Sequence, residues 1–243
     1  MKMLIMAGCF VLLMTSGVLA AEPFAVVELF ASEGCSSCPP ADDLLRRLIN
    51  EGDKDKRVFI LTFEVDYWDS LGWKDPFSKK EFTKRQYQYA DVLKSSSVYT
   101  PQMIINGQQA FVGSDESKAQ KYINQYLRTP ATANIVLSKQ LEDKDTLKVT
   151  YHVHPLPENT LMHFALVDPK TETMVTSGEN AGQTLKHSNV VLDFKTIKLN
   201  KSEGEIVFTS TSEISRSSDL AVIAYIQDAK DLHVLAASEV KLN

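Results

Sequence analysis

Between the apolar run Phe24–Phe30 and the helix-like run Ala41–Asn50 stands Cys35-Ser36-Ser37-Cys38. A CxxC at a strand-to-helix junction brings two sulfurs to the first turn of a helix, where backbone N–H groups and the positive dipole end favour thiolate over thiol. Two cysteines this close open and close a disulfide with little backbone movement. Such a bond closes almost no chain, so loop entropy gives it little stabilising value. The third cysteine, Cys9, lies in an N-terminal segment with the pattern of a removable leader. Exported proteins held together by disulfides usually carry several, with longer loops between partners. One short pair therefore reads as functional, with an inert structural disulfide as the alternative.

The leader pattern consists of Lys2, the apolar stretch Leu4–Val18 and the small or neutral residues Val18-Leu19-Ala20. Residues 1–20 are expected to be a signal peptide cleaved near Ala20, giving an exported periplasmic or secreted product. Gly8, Thr15, Ser16 and Gly17 interrupt a run already short for a spanning helix, so no stable membrane insertion is expected. Charges are interspersed, 31 acidic against 26 basic. No basic stripe with interleaved aromatics occurs, which argues against nucleic-acid binding.

The periodicity divides the chain. Ala25–Phe30 and Val58–Val65 read as buried strands flanking a helix with Leu44, Leu45, Leu48 and Ile49 on one face, hence parallel if that helix is a crossover. Asp42 and Asp43 early and Arg46 and Arg47 late suit its dipole. Ser78-Lys79-Lys80-Glu81 fits a capping box, with Phe77 and Phe82 as a hydrophobic staple. Asn106-Gly107 between Gln102–Ile105 and Gln109–Val112 is a hairpin signal, and a helix follows over Asp115–Leu127. The order β-α-β-α-β-β-α predicts an α/β domain with a mixed sheet over residues 21–129. After Arg128-Thr129-Pro130 the helical period gives way to alternation, with Leu147, Val149, Tyr151 and Val153 facing one way. Further strands at Leu161–Val167, Val190–Leu199, Glu205–Ser210, Leu220–Gln227 and His233–Val240 predict an all-β, sandwich-like domain over 130–243.

Strand, CxxC, helix and a later Thr100-Pro101 before a hairpin resemble the thioredoxin fold over about residues 24–128. The segments Val27–Phe30, Gly34–Asp42, Val65–Asp69, Leu71–Phe77 and Val98–Gln102 narrow the match, as do Gly178–Gly182 and His187–Val191. Together they resemble an exported bacterial thioredoxin-like family known as domain-of-unknown-function family 1223. The resemblance implies that Cys35 attacks and Cys38 resolves a mixed disulfide, and that the Thr100–Pro101 peptide is cis and lies against the pair. It also implies that Glu28 is a buried acid serving as proton shuttle for the resolving cysteine; a solvated or salt-bridged strand-end carboxylate is the alternative. Backbone at Thr100 and Pro101 would pair with an extended substrate.

Around the pair the sequence supplies mixed signals. Pro39 and Pro40 remove two N–H donors from the first turn, and Glu33, Asp42 and Asp43 oppose a thiolate. Ser36 and Ser37 supply hydroxyls. Trp68 and Trp73, in the loop Asp66–Phe77, are candidates for an aromatic substrate wall at the carboxyl edge of the sheet, or else cap the core. His152 and His154 share a strand face and suggest copper or zinc, although a solvated face explains them as well. His187, Asn189, Glu179 and Asn180 read as turn residues satisfying loop backbone, with a place at the junction of the two halves as the alternative. The expected function is thiol–disulfide exchange with a protein or small-molecule thiol or disulfide and an unidentified redox partner. No dissociable cofactor and no resident metal are expected. A non-catalytic envelope binding module with a structural or vestigial disulfide and a metal chaperone using the cysteines with a histidine are the rivals.

Overall fold

Seven consecutive buried residues, Ala25–Ala31, form β1, and its two faces feed two different cores. Ala25, Val27, Leu29 and Ala31 face one side and Val26, Glu28 and Phe30 the other, as the period of two in a strand requires. The computed structural model describes residues 21–51, 57–142, 146–209 and 219–242; the expected signal segment 1–20 lies outside them. After β1 come α1 (Pro39–Glu51), β2 (Val58–Glu64), α2 (Lys80–Leu93), β3 (Gln102–Ile105), β4 (Gln109–Val112) and α3 (Glu116–Tyr126). The rest of the described chain is strand: β5 (Asn134–Leu141), β6 (Thr146–His154), β7 (Thr160–Asp168), β8 (Thr171–Met174), β9 (Thr184–His187), β10 (Val190–Lys198), β11 (Glu203–Thr209), β12 (Ala221–Asp228) and β13 (Val234–Lys241). No helix among the described residues is long and apolar enough to cross a membrane.

One eight-stranded sheet runs through both halves in the order β13-β12-β7-β10-β2-β1-β3-β4. The division expected near residue 130 thus falls within a chain whose sheet continues across it. The crossing is narrow. β2 and β10 pair in parallel through Val190 opposite Thr62, reinforced by Thr62 N–H donating to Asn189 O at 2.9 Å and Asn189 Nδ2 donating to Ile60 O at 3.0 Å. β1 and β2 are parallel, as the helical crossover requires, and β3 is antiparallel to β1. The sequence reading had no place for β5 or for the β8–β9 hairpin, both short of apolar alternation.

Three cores follow from the layers. The α1–α3 side of β1 packs Val27, Leu29, Ile60, Leu44, Leu45, Ile123 and both cysteines. The opposite face packs Phe30, Leu61, Phe63, Phe82 and Tyr89 against Val167, Ile223 and Tyr225 of the second half. A third core lies between β7, β10 and β12 and a separate sheet ordered β11-β6-β5, where Leu147, Val149, Tyr151 and Val153 meet Phe164, Leu166 and Val222.

Two local expectations resolve differently. Asn106 and Gly107 both have positive φ, 46° and 71°, the hairpin turn that dipeptide favours; a Cβ on Gly107 would lie 1.8 Å from Leu232 O, so glycine is required there. The capping box at Ser78 is not formed. Lys79 is the N-cap without a side-chain bond, and Ser78 Oγ donates to Asp69 at 2.8 Å within the preceding loop. The basic residues expected at the end of α1 sit mid-helix, where Arg46 pairs with Asp43 and Arg47 with Glu116 of α3.

Candidate functional site

Cys38 directly precedes α1 and Cys35 opens the turn before it: Cys38 N–H donates to Cys35 O, and Ala41 N–H to Cys38 O. The helix begins at Pro39, after both cysteines, so the sulfurs stand in the turn that leads into it and not in its first turn. Proline suits that position, because the first helical N–H groups have no intrahelical acceptor. Cys35 and Cys38 form a disulfide. The Thr100–Pro101 peptide is cis. Ser37 joins the two features: its Oγ lies 3.4 Å from Cys35 Sγ and 3.5 Å from Thr100 O. Trp68 Nε1 donates to Thr100 Oγ1 at 2.8 Å, fixing the loop above the pair.

The second half of the chain covers this turn. Asn180, buried in the β8–β9 loop, donates from Nδ2 to Glu33 O at 2.8 Å and to Cys35 O at 3.1 Å. Glu179 accepts from Ser36 N–H at 3.2 Å and from Ser36 Oγ at 2.6 Å, which holds its carboxyl below the usual range. Gly72 and Gly178 let the tryptophan loop and the hairpin loop touch; a Cβ on Gly178 would lie 3.1 Å from Trp73 Cβ, and Ser177 Oγ donates to Gly72 O at 2.6 Å. Under this cover Cys35 is 0% and Cys38 1% exposed, while Ser36 and Ser37 reach solvent.

Beside the pair, on the same sheet face, lies a buried group that sequence reasoning did not assemble. His187, at the end of β9, places Nδ1 3.1 Å from Asp42 Oδ1 and 3.7 Å from Glu64 Oε1, and Nε2 3.4 Å from Glu33 Oε1. Asp75 stands behind, accepting from Glu33 N–H and Phe77 N–H, each at 2.8 Å. The described ion pairs give these four carboxyls no lysine or arginine. Among the described residues no N–H or hydroxyl donor satisfies either oxygen of Glu64 or Glu33 Oε1; His187 Nε2 faces the latter outside hydrogen-bond geometry, and Glu64 shares a proton only with the Asp75 carboxyl.

Desolvation first, then the charge of Asp75, pushes the Glu64 carboxyl well above the ordinary range. Desolvation likewise raises Asp42 and Asp75. Burial would lower His187, but its pairing with Asp42 and Glu33 and the Asp42 and Glu64 charges hold it well above the imidazole norm. Burial would raise Glu33, but His187 and hydrogen bonds from Thr173 and Trp73 hold it low.

Glu28 is not part of this site. It projects to the other face of β1, where Arg85 Nε and Nη2 donate to its two oxygens at 2.6 and 2.9 Å and the Tyr89 hydroxyl donates to the same carboxylate. The sheet lies between it and the cysteines, so the proton-shuttle role is replaced by the salt-bridged alternative. Glu33, five residues on, is the acid nearest the pair in sequence and lies on the correct side. Trp68 and Trp73 are half-buried and engaged through their indole N–H groups, Trp73 with Glu33 Oε2 at 2.8 Å. They cap the site from one side and present no open aromatic wall. His152 and His154 are exposed on β6 and belong to no described cluster with the cysteines. Glu179, Asn180, His187 and Asn189 do satisfy loop backbone and side chains, but those of the first half. A hint was available: Glu64 ends the apolar strand Val58–Glu64 much as Glu28 interrupts β1, and the carboxyl ends of neighbouring parallel strands converge.

Comparison with known proteins places the chain. The family described as "Protein of unknown function (DUF1223)" matches residues 26–227, and the chain belongs to it. The crystal structure of a protein from Agrobacterium tumefaciens, a structural-genomics target, is 27% identical, covers 92% of this chain and 97% of its own, and superposes with a TM-score of 0.67. A domain of the outer membrane lipoprotein Omp28 from Porphyromonas gingivalis is 18% identical over 46% of this chain and 89% of its own, with a TM-score of 0.29. No functionally curated protein matches the chain.

Proposed function

From a cysteine pair at the entry to α1 that Ser37 links to the Thr100 carbonyl, we propose that this member of a family of unknown function carries out thiol–disulfide exchange in the cell envelope. The reading takes the first half as a thioredoxin-like unit and the second as a β-sandwich that supplies its cover. The observation that carries it is the joint position of Cys35, Ser37 and Thr100. One hydroxyl within 3.5 Å of both the sulfur and the Thr100 carbonyl can serve a thiolate or an incoming peptide. In the oxidising direction, a partner thiolate attacks the sulfur of Cys35. The Cys35–Cys38 bond breaks and leaves Cys38 as thiolate. A second partner thiolate then attacks the partner sulfur of the mixed disulfide and releases Cys35. The partner leaves oxidised by two electrons, and the cysteine pair takes up the two protons. Reduction of a partner is the reverse, and another thiol–disulfide couple resets the pair.

Burial of both sulfurs means that exchange requires the Glu179–Asn180 loop to lift. The same burial favours a second reading, a binding module with a structural disulfide. Equilibration of the protein in glutathione buffers separates the two. A reversible couple between about −120 and −270 mV supports exchange, and a bond that stays closed below about −300 mV supports the module.

A further inference from the structure

The group around His187 is not used by the exchange chemistry and is unusual in its own right: four buried carboxyls, one imidazole and oxygens that meet no donor. Leaving a buried charged group without partners costs more than a hydrogen bond returns, so such groups are normally paired or bind a metal. The geometry points to a site for one divalent transition-metal cation of the zinc type, held by Asp42, Glu64 and Nδ1 of His187.

Three observations support it. The donor atoms lie within 4.8 Å of one another, and all three residues are buried. A tetrahedral centre with bonds of about 2.0–2.2 Å sets its ligands about 3.4 Å apart. The distances from Nδ1, 3.1 Å to Asp42 and 3.7 Å to Glu64, bracket that spacing. Both Glu64 oxygens are fully buried and meet no N–H or hydroxyl donor among the described residues; the partner this carboxyl has is another acid, Asp75. The far side of the imidazole is also prepared. A metal-bound histidine normally presents its other ring nitrogen to a carboxylate, which fixes tautomer and orientation. Nε2 faces Glu33 Oε1 at 3.4 Å, and Trp73 Nε1 in turn holds the other Glu33 oxygen at 2.8 Å.

The donor set indicates the class of ion. Imidazole with carboxylates suits zinc and its neighbours, while an all-oxygen cage would suit calcium or magnesium. Two ligating carboxylates balance a dication. Three protein donors leave a fourth position for water, the pattern of a site open to chemistry. His187 belongs to the small β8–β9 sheet, which is separate from the eight-stranded sheet. Movement of that hairpin gives an ion its path.

The test uses the full chain with its disulfide intact, stripped with a chelator and titrated with Zn2+ by calorimetry, thermal melting and X-ray absorption. One ion per chain, a raised melting point and nitrogen or oxygen ligation alone are expected. Glu64→Gln and Asp42→Asn lose the binding event. Glu33→Gln, acting only through the imidazole, weakens it about 10- to 100-fold. The pair His152→Gln and His154→Gln leaves it unchanged. Glu64→Gln keeps the shape of the side chain, and circular dichroism checks that the variant folds. Sulfur ligation, dependence on His152 or His154, or a folded wild-type protein that neither binds nor is stabilised by Zn2+ would overturn the assignment. In the last case protons shared among the carboxyls fill the role of the cation. A failed zinc titration leaves the cysteine potential, measured separately, untouched.

Discussion

Glu28 and Glu64 sit on neighbouring parallel strands, with Glu28 opposite Leu61 and Glu64 three positions further along. That odd offset sends them to opposite faces, where two buried clusters of opposite character surround them. Glu28 meets a guanidinium that grips both oxygens, and the network continues through Tyr89 and Gln227 to His163, all hydrogen-bonded. Aromatic faces of Phe63, Tyr89, Phe194 and Tyr225 surround Arg85 at 4.9 to 5.8 Å. Glu64 meets other carboxyls and a histidine, and among the described residues no N–H or hydroxyl donor reaches its oxygens. The first cluster is closed: each charge has its partner, and the whole welds α2 to both halves of the sheet. The second is open: acids face acids around one imidazole, with no lysine or arginine among the described ion pairs.

The largest effect that would break this comparison is removal of Arg85. Arg85→Met leaves Glu28 charged and unpaired in an apolar core, and a loss of about 3–5 kcal/mol in urea-measured stability is expected. Glu64→Gln should differ in kind. In chelator-treated protein the Glu64 carboxyl already holds its proton, so the amide replaces a neutral group and a change of at most about 1.5 kcal/mol in either direction is expected, read from the denaturation midpoint. If both substitutions destabilise alike, the two clusters do not differ as described.

A third, smaller effect concerns pH. Burial, and then Arg85, hold His163 well below the ordinary imidazole value. It faces Thr196 of β10, Gln227 and Tyr225 of β12 and Phe194, with Arg85 of α2 nearby. Its folded pKa lies below its unfolded one, so its contribution is complete above about pH 6.5 and falls as pH drops toward the folded value. The slope reaches at most about 1.4 kcal/mol per pH unit. His163→Gln should flatten that part of the stability profile, measured between pH 6.5 and 5. A profile unchanged by the substitution would show that His163 does not set it. The smallest effect is on the cover: Glu179→Gln should leave the melting point unchanged and speed reduction of the Cys35–Cys38 bond by a small phosphine roughly two- to fivefold. An unchanged rate would mean that Ser36 is not what keeps the bond protected.

What the sequence made legible is what local signals encode. The strand before Cys35, the helix after Cys38 and the Asn106-Gly107 hairpin each depend on residues a few positions apart. The role of Glu28 is not legible in the sequence, because alternation gives a residue's parity but not which face a distant helix will cover. Arg85, 57 residues away, decided that. His187 and Asp42 are 145 residues apart, and the hairpin between Thr171 and His187 is too short and polar to announce itself. The join of β10 to β2 has one register pair and no pattern of its own.

The reach of Asn180 back to Cys35 sets an order of events. A ribosome delivers the CxxC turn first, and 145 further residues must follow before the amide that covers its carbonyls exists. Until then water serves those acceptors, and the two thiols of a nascent chain are as open as they will ever be. The turn is therefore covered only once about three quarters of the chain has been made.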